Sequence, residues 1–255
     1  MSVPSVTIVV INHDYERYVG EAIRSAITQE PGGYRLTDVV VVDDGSTDGS
    51  EYVYATFPAA RVVRQPHLGF PTALTRAVTE ASGEWVALCD ADDAFEPHKL
   101  RTLAPVLARQ EISFIQHAER VVDFSGRLFV KDTHPGGATS TLVMRTAHAR
   151  DLLPVTNELF FHVLADLGRG AVLNDPLTRY RVHAGSMTDR ITPGVFAEYM
   201  AHVCDDVAAR LDALTSSPPA WAQVAELDRL RNTYRDRAAT YRADAIKQIE
   251  RGVLR

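Results

Sequence analysis

The sequence predicts an α/β protein built on a doubly wound, mostly parallel sheet with a C-terminal helical extension. Over residues 6–107, short runs of apolar, mostly β-branched residues alternate with stretches whose apolar positions recur at helical spacing. Two of the predicted strands lead directly into carboxylates. From residue 195 onward the pattern is helical alone.

Four short runs have the composition of buried parallel strands: residues 6–11, 39–42, 61–64 and 85–89. Between them, apolar residues recur at i, i+3, i+4 and i+7, which is the stripe of a helix packed on a sheet. These helical stretches cover residues 19–27, 74–81 and 100–107, with a shorter one through residue 57. Strands that alternate with helices in this way form βαβ units, and βαβ units form parallel sheets.

The regular alternation fades after residue 112. The predicted elements there are a hairpin over 114–128 with its turn at 123–126, a strand at 141–144, a helix over 159–167, a strand at 171–173, a helix from 195, a break at 215–219 and a charged helix from 221 to 255. The last helix carries only a narrow apolar stripe, so we expect it to pack on the preceding helix or on a second subunit.

The composition is that of an ordinary globular protein, with 45% hydrophobic and 24% charged residues. Among its 255 residues, 33 are acidic and 27 basic, giving a net charge of −6. A general nucleic-acid binder needs a basic excess to neutralise phosphates. The charge therefore argues against nucleic acid as a partner, although it leaves room for one small basic pocket.

No apolar run approaches the roughly 18 residues of a membrane span, and the N-terminus enters a strand within a few residues. The expected location is therefore cytoplasmic, with peripheral action at a membrane surface left open. Cys89 and Cys204 each lie inside an apolar pattern. We expect reduced core cysteines rather than a disulfide.

An acidic cluster follows the fourth strand. Asp90, Asp92 and Asp93 lie within four positions, directly after the apolar run 85–89. Open α/β sheets bind ligands beyond the carboxyl ends of their parallel strands. Three carboxylates held together repel one another unless a hard cation neutralises them, and Mg²⁺ or Mn²⁺ is the natural candidate. The alternative is that one aspartate caps the helix near Pro97 and the others are solvated.

Three polar features share this predicted edge: the loop 12–15 after the first strand, the pair Asp43 and Asp44 after the second, and the acidic cluster after the fourth. A nucleotide diphosphate with a divalent cation would use all three, because one carboxylate can accept from a base N–H while others hold the cation.

The segments VVIN (9–12), VVDDGSTDGS (41–50), GEW (83–85) and DADD (90–93) resemble those of family 2 glycosyltransferases of the GT-A fold. The similarity is close over about the first 110 residues and looser as far as Thr188. It implies a metal-dependent, inverting hexosyltransferase-like enzyme that takes sugar from a nucleotide donor, most simply a UDP-sugar, to an acceptor hydroxyl.

The resemblance also implies roles for individual residues. Asp44 would accept from the uracil N–H, Asp43 would shape the turn, Asp90 would contact the ribose or the metal, and Asp92 would bind Mn²⁺ or Mg²⁺. The full implied nucleotide-sugar-binding set is Ile11, Asn12, His13, Asp43, Asp44, Asp90, Ala91 and Arg181.

The general base is less well marked. The family places an aspartate, often within an acidic pair, at the start of a helix after the acceptor loop, where this chain has Thr156, Asn157 and Glu158. An asparagine side chain cannot act as a base, so Glu158 is the first candidate and Asp151 the second. Glu158 would otherwise only favour the N-terminus of its helix through the macrodipole. His67 occupies a position where the family often has asparagine.

The segment Tyr180 to His183 resembles the late Tyr-Arg-x-His segment of the family. The resemblance implies that Arg181 contacts the nucleotide and that His183 reaches the metal or the diphosphate. Residues 184–188 would then close over the donor as a lid. A core or solvent-facing histidine is the alternative for His183.

The expected organisation is a nucleotide-sugar-binding half over residues 1–112, an acceptor-binding and catalytic half over 113–190, and a helical extension over 191–255 that would allow a homodimer. Two other functions are consistent with parts of the pattern. A phosphatase of the haloacid dehalogenase type would use Asp90 as its nucleophile, although three βα units precede it. A non-catalytic module would bind the nucleotide sugar and transfer nothing.

Overall fold

The computed structural model describes residues 3–128, 138–183 and 192–253, with side chains described to residue 249. Its internal contacts divide the chain into two compact units, residues 1–182 and 183–255. The first unit contains an eight-stranded sheet in the order β3-β2-β1-β4-β7-β6-β8-β5. The strands are β1 Ser5–Asn12, β2 Arg35–Asp44, β3 Arg61–Gln65, β4 Trp85–Asp90, β5 Ala94–Phe95, β6 Phe114–Val122, β7 Leu142–Arg145 and β8 Gly170–Arg181.

The predicted doubly wound, mostly parallel sheet is confirmed. Strands β1, β2, β3 and β4 are mutually parallel, as are β6 and β8, whereas β7 runs antiparallel to β4 and β6. The helices of the first unit are α1 Glu16–Ile27, α2 Ser50–Tyr54, α3 Phe70–Glu80, α4 Lys99–Leu107, α5 Thr146–Asp151 and α6 His162–Leu164.

The core lies between the sheet and these helices. The inner positions of β1 are fully buried, as are the apolar residues of α1. Trp85 is also fully buried, and its Nε1–H donates to the carbonyl of Leu107 at 3.2 Å. Burial of this continuous apolar cluster is the main stabilising contribution to the sheet, and it fixes the strand ends that carry the polar loops.

The structure differs from the sequence prediction over residues 114–128 and 158–181. The predicted helix at 159–167 is irregular and consists of a 3₁₀ turn Glu158–Phe161, the short α6, and a wide turn Ala165–Arg169. The helical backbone stops there because Gly168 has φ +74°, which lies outside the helical region. The three-residue strand expected at 171–173 extends to the twelve residues of β8, paired along β6. Of the predicted hairpin, the described residues up to 128 show β6, a turn, and one bridge from Val122 to Leu128.

The second unit contains two long helices, α7 Val195–Ser216 and α8 Val224–Val253, separated by the predicted break. They pack on each other in antiparallel fashion, with Asp212 accepting from Arg231 at 2.8 Å and from Arg235 at 2.7 Å. The final helix therefore packs on the preceding one, the first of the two arrangements expected from its narrow stripe.

Candidate active site

The parallel strands bring the predicted polar residues to one edge of the sheet. Asn12 pairs with Asp43, and Ile11 pairs with Asp90, so β1, β2 and β4 end side by side. The backbone continues this contact beyond the strands, since the N–H of Ala91 donates to the carbonyl of Ile11 at 3.1 Å. The loops after β1, β2 and β4 are therefore neighbours, as carboxyl-end loops of a parallel sheet must be.

In the acidic cluster Asp93 is buried, whereas Asp90 and Asp92 are partly exposed. The Asp90 N–H donates to Ser140 Oγ at 2.8 Å, and Asp93 Oδ1 accepts the Arg181 N–H at 2.9 Å. Burial, with repulsion from Asp92, raises the pKa values of Asp90 and Asp93 well above the usual range. Within the described part of the chain, Asp93 Oδ2 has no hydrogen-bond partner.

These residues fit a divalent cation. The donors are carboxylate oxygens, which Mg²⁺ and Mn²⁺ prefer. The mutual repulsion of Asp90, Asp92 and Asp93 is the electrostatic cost that a bound cation would offset, and Asp93 Oδ2 is a buried oxygen that lacks a compensating donor.

Glu158 belongs to the same cluster. Its charge acts directly on Asp90, where it adds to the rise in pKa. Burial raises the pKa of Glu158 itself to about 7. The preceding residue, Asn157, is the N-cap of the 3₁₀ turn, with its side chain accepting the Leu159 N–H at 2.8 Å. Asn157 thus has a structural role here, and Glu158 is the carboxylate that faces the site.

Asp151 lies elsewhere. It is the exposed last residue of α5. At the start of α5, Arg145 pairs with Trp85 in the sheet, and the Thr146 N–H donates to the Glu84 carbonyl. That is the amino end of β4, the edge of the sheet opposite Asp90. Of the two predicted bases, the geometry therefore favours Glu158.

Asp44 is buried, and its carboxylate is already satisfied by the protein. Oδ1 accepts from Gln65 Nε2 at 2.7 Å and from the Leu68 N–H at 3.0 Å, while Oδ2 accepts from the Gly69 N–H and His67 Nδ1, both at 2.9 Å. Burial opposes ionisation, but these hydrogen bonds outweigh it and lower the pKa of Asp44.

A carboxylate offers about four lone-pair sites, and all of those of Asp44 have donors. From the family resemblance we expect Asp44 to accept directly from a uracil N–H. In this structure that contact requires a present donor to move, and the observed role of Asp44 is to fix the loop between β3 and α3.

His13 and His67 form a stacked pair beside Asp44. Their rings are 3.8 Å apart and within 14° of parallel, and each Nδ1 lies near the Asp44 carbonyl. With the Asp44 carboxylate they offer three potential metal-ligand atoms within 4.8 Å. However, the ring lone pairs of parallel imidazoles point in parallel planes and do not converge on one ion. The pair instead forms one wall at the end of β1, with His67 more exposed than His13.

The other predicted nucleotide contacts also have internal partners. Asn12 is buried, with its Nδ2 within 3.1 Å of the hydroxyls of Ser46, Ser50 and Tyr54. Asp43 Oδ1 accepts the Ser46 N–H at 3.1 Å, a contact that shapes the turn after β2.

Arg181 is engaged within the protein as well. Its Nε donates to the Asp92 carbonyl, its Nη2 to Glu21 Oε2, and its Nη1 to the carbonyls of Asp123 and Phe124. In this structure Arg181 therefore contacts the acidic loop, residues 90–93, and its expected contact with the nucleotide stays a prediction. His183 is the first residue of the second unit, so its role as a metal ligand stays a prediction, and residues 184–188 lie outside the described residues.

Two further residues of this region, Tyr15 and Lys99, were not among the site residues predicted from the sequence. Burial, followed by repulsion from Asp92, Asp90 and Asp93, raises the pKa of Tyr15 to about 12, which places its phenol beside the acidic cluster. Lys99 is fully buried under the cluster, with its Nζ 2.9 Å from the Ser140 carbonyl, and burial lowers its pKa well below the usual value. Tyr15 stood in the polar loop after the first strand, whereas nothing in the pattern marked Lys99.

Comparison with known proteins identifies the family of this fold. The family model "Glycosyl transferase family 2" matches residues 5–160. An uncharacterized glycosyltransferase of Nostoc is 25% identical over 71% of this chain and 66% of its own length. The succinoglycan biosynthesis protein ExoO of Rhizobium meliloti is 36% identical, over 40% of this chain and 29% of its own. The chain thus spans less than two thirds of these relatives' length.

Solved structures show the same fold. TarS of Staphylococcus aureus in complex with UDP-GlcNAc has a TM-score of 0.63 at 20% identity, covering 91% of this chain and 72% of that one. The mannosyltransferase PcManGT of Pyrobaculum calidifontis in complex with GDP-Man and Mn²⁺ has a TM-score of 0.51 at 16% identity, covering 97% and 76%. The expected GT-A fold is confirmed. None of the helices within the described residues has the length and apolar character needed to cross a bilayer.

Proposed function

The chain belongs to glycosyl transferase family 2, and from this premise we propose that it transfers a sugar from a nucleotide-sugar donor to an acceptor hydroxyl. The observation that carries the proposal is the joint placement of Glu158 and the carboxylates Asp90, Asp92 and Asp93 at the carboxyl edge of the sheet. This arrangement supplies a base and a cation-binding group within one site.

The proposed donor is a UDP-sugar. The TarS complexes contain UDP and UDP-GlcNAc, whereas the PcManGT complex contains GDP-Man, so related folds accept both nucleotides. The donor would lie across the ends of β1, β2 and β4. Its nucleotide would lie beside Ile11, His13 and the Asp43–Asp44 turn, and its ribose near Asp90 and Ala91.

The proposed metal ligand in the first unit is Asp92. A bound Mn²⁺ or Mg²⁺ would neutralise the charge that develops on the departing diphosphate. Whether or not the ion is bound, neighbouring residues hold the loop that carries Asp92 in place. Asp90 and Asp93, tied to Ser140 and Arg181, keep the Asp92 loop at the end of β4.

The proposed transfer is a single in-line displacement with inversion. The acceptor oxygen forms a bond to the anomeric carbon, the bond to the diphosphate oxygen breaks, and the diphosphate leaves with the electron pair. Glu158 takes the proton of the acceptor hydroxyl. A pKa of about 7 suits this task, since a base poised near the working pH is both ionised and basic enough.

The test is donor turnover, measured as nucleoside diphosphate released from UDP-, GDP- and TDP-sugars with Mn²⁺. We expect slow hydrolysis of one donor by the wild type, and none by Asp92→Ala or Glu158→Gln. Glu111→Gln is the matched control. Glu111 is an exposed carboxylate that follows α4, and its described ion pair is with Arg109. Loss of turnover in Asp151→Asn with retention in Glu158→Gln would transfer the role of base to Asp151.

A further inference from the structure

Arg181 connects α1 to the acidic loop by bonding to Glu21 on the helix and to Asp92 in the loop, and we call this arrangement the ionic brace. Arg181, at the end of β8, is only 4% exposed in its side chain, whereas its partner Glu21 on α1 is 43% exposed. The Arg181 Nη2 donates to Glu21 Oε2 at 2.6 Å. The Nε of the same guanidinium donates to the Asp92 carbonyl at 2.8 Å. One planar group therefore joins a helix to the residue proposed to bind the cation.

The main chain of Arg181 adds a second contact to the same loop, since its N–H donates to Asp93 Oδ1 at 2.9 Å. Two consecutive residues of the loop are thus held by one residue of β8, through different atoms. Strand pairing supports the arrangement: β5 pairs with β8 at Ala94 and Phe95, directly after the acidic cluster.

The brace depends on the fork geometry of arginine. Its Nη1 also lies 3.3 Å from the carbonyls of Asp123 and Phe124, so three nitrogens of one plane meet acceptors on three sides. Lysine carries the same charge but has a single nitrogen, which cannot reach all three sides. A buried guanidinium also needs a counter-charge, and Glu21 is the carboxylate that supplies it.

We infer that Glu21 and Arg181 are positioning residues that fix the Asp92 loop for cation binding, and that Arg181 acts through this loop rather than through contact with the nucleotide. The inference rests on the proposed function and names two residues that act on its metal site indirectly. Outer partners of this kind commonly change metal affinity by about 10–100-fold when they are removed.

The chain offers a matched control in Arg179. Its Nη1 pairs with the other oxygen of Glu21 at 3.0 Å, and its side chain is 35% exposed. Arg179→Gln therefore removes an ion pair to the same glutamate without touching the Asp92 carbonyl. Glu21→Gln removes the counter-charge of Arg181, and Arg181→Lys keeps the charge but loses the fork.

The experiment measures Mn²⁺ affinity in the presence of UDP, and UDP affinity in EDTA, for the wild type and these three variants. We expect Glu21→Gln and Arg181→Lys to bind Mn²⁺ at least tenfold more weakly, and Arg179→Gln to bind within about twofold of wild type. All variants should bind UDP in EDTA as the wild type does, which also reports that they are folded.

A double variant separates positioning from a general loss of structure. In the Asp92→Ala background, Glu21→Gln should cause no further loss of Mn²⁺ affinity, because the ligand that it positions is absent. Equal losses of Mn²⁺ affinity in Glu21→Gln and Arg179→Gln would overturn the inference. Weaker UDP binding by Arg181→Lys in EDTA would also overturn it, because that result would indicate direct contact between Arg181 and the nucleotide. Failure of the wild type to bind Mn²⁺ with UDP would instead refute the proposed function itself, and the inference with it.

Discussion

Replacing Glu158 with glutamine should stabilise the protein at neutral pH while it abolishes transfer. Burial raises the pKa of Glu158 from 4.5 to about 7, so the folded protein resists ionising this carboxyl. Below pH 4.5 the carboxyl is protonated in both the folded and the unfolded chain, and it imposes no penalty. Above pH 7 it is ionised in both, and the folded state bears the full cost.

The magnitude follows from the shift. The difference between the two pKa values corresponds to about 3 kcal/mol at most, and the partial exposure of Glu158 reduces this to about 1–2 kcal/mol. Glutamine has nearly the same shape and no charge, so Glu158→Gln should gain this free energy of unfolding at pH 8. For a chain of this size, we expect a rise in melting temperature of about 2–8 °C.

The assay is thermal unfolding of both proteins in EDTA, from pH 4 to pH 8. The difference in melting temperature should be near zero at pH 4, should grow between pH 4.5 and 7, and should then level off. Glu111→Gln, at an exposed site, should show no such growth. A difference that is independent of pH, or a Glu158→Gln variant that is less stable at pH 8, would refute the argument that Glu158 is a buried, pKa-shifted carboxylate.

Three further predictions concern activity and stability. Transfer by the wild type should rise about tenfold per pH unit below the Glu158 pKa and level off above it, and a flat rate profile between pH 5 and 7 would contradict its role as base. Lys99→Met should raise the free energy of unfolding at pH 7 by about 1 kcal/mol, because burial depresses the pKa of Lys99 and the wild type therefore loses stability as the pH falls below 10.5. Calorimetric melts with the same pH dependence for both proteins would contradict this prediction. Asp44→Asn replaces two of the four hydrogen-bond acceptor sites with donors, so it should lower the free energy of unfolding, measured in urea, by about 2–3 kcal/mol. A change below about 0.5 kcal/mol would show that the loop between β3 and α3 does not depend on the carboxylate.

The parallel half of the fold was predictable because its physical causes are local. Buried parallel strands are uniformly apolar, as at residues 39–42 and 85–89, and helices that pack on them show a regular stripe. The acidic residues follow these strands directly, so their common edge follows from the topology of a parallel sheet.

The rest depends on partners that are remote in sequence. Arg181 meets Glu21 across 160 positions and Asp92 across 89, so no local pattern revealed that its donors are used within the protein. Lys99 lies directly before the predicted helix 100–107 and was not singled out by any pattern, yet it is fully buried. The predicted helix end before Gly168 agrees with the positive φ of that glycine, but the irregular turns between Asn157 and Gly168 had no local signal in the sequence.

Calorimetric titration of the wild type and Asp92→Ala with UDP and UDP-sugars, in Mn²⁺ and in EDTA, tests the proposed cation site most directly. We predict that Mn²⁺ tightens binding of a UDP-sugar to the wild type by at least about tenfold, and that Asp92→Ala loses this gain while it retains the affinity seen in EDTA. Equal affinity with and without Mn²⁺, or a full gain in Asp92→Ala, would contradict the claim that the acidic loop after β4 holds the cation for a nucleotide-sugar donor.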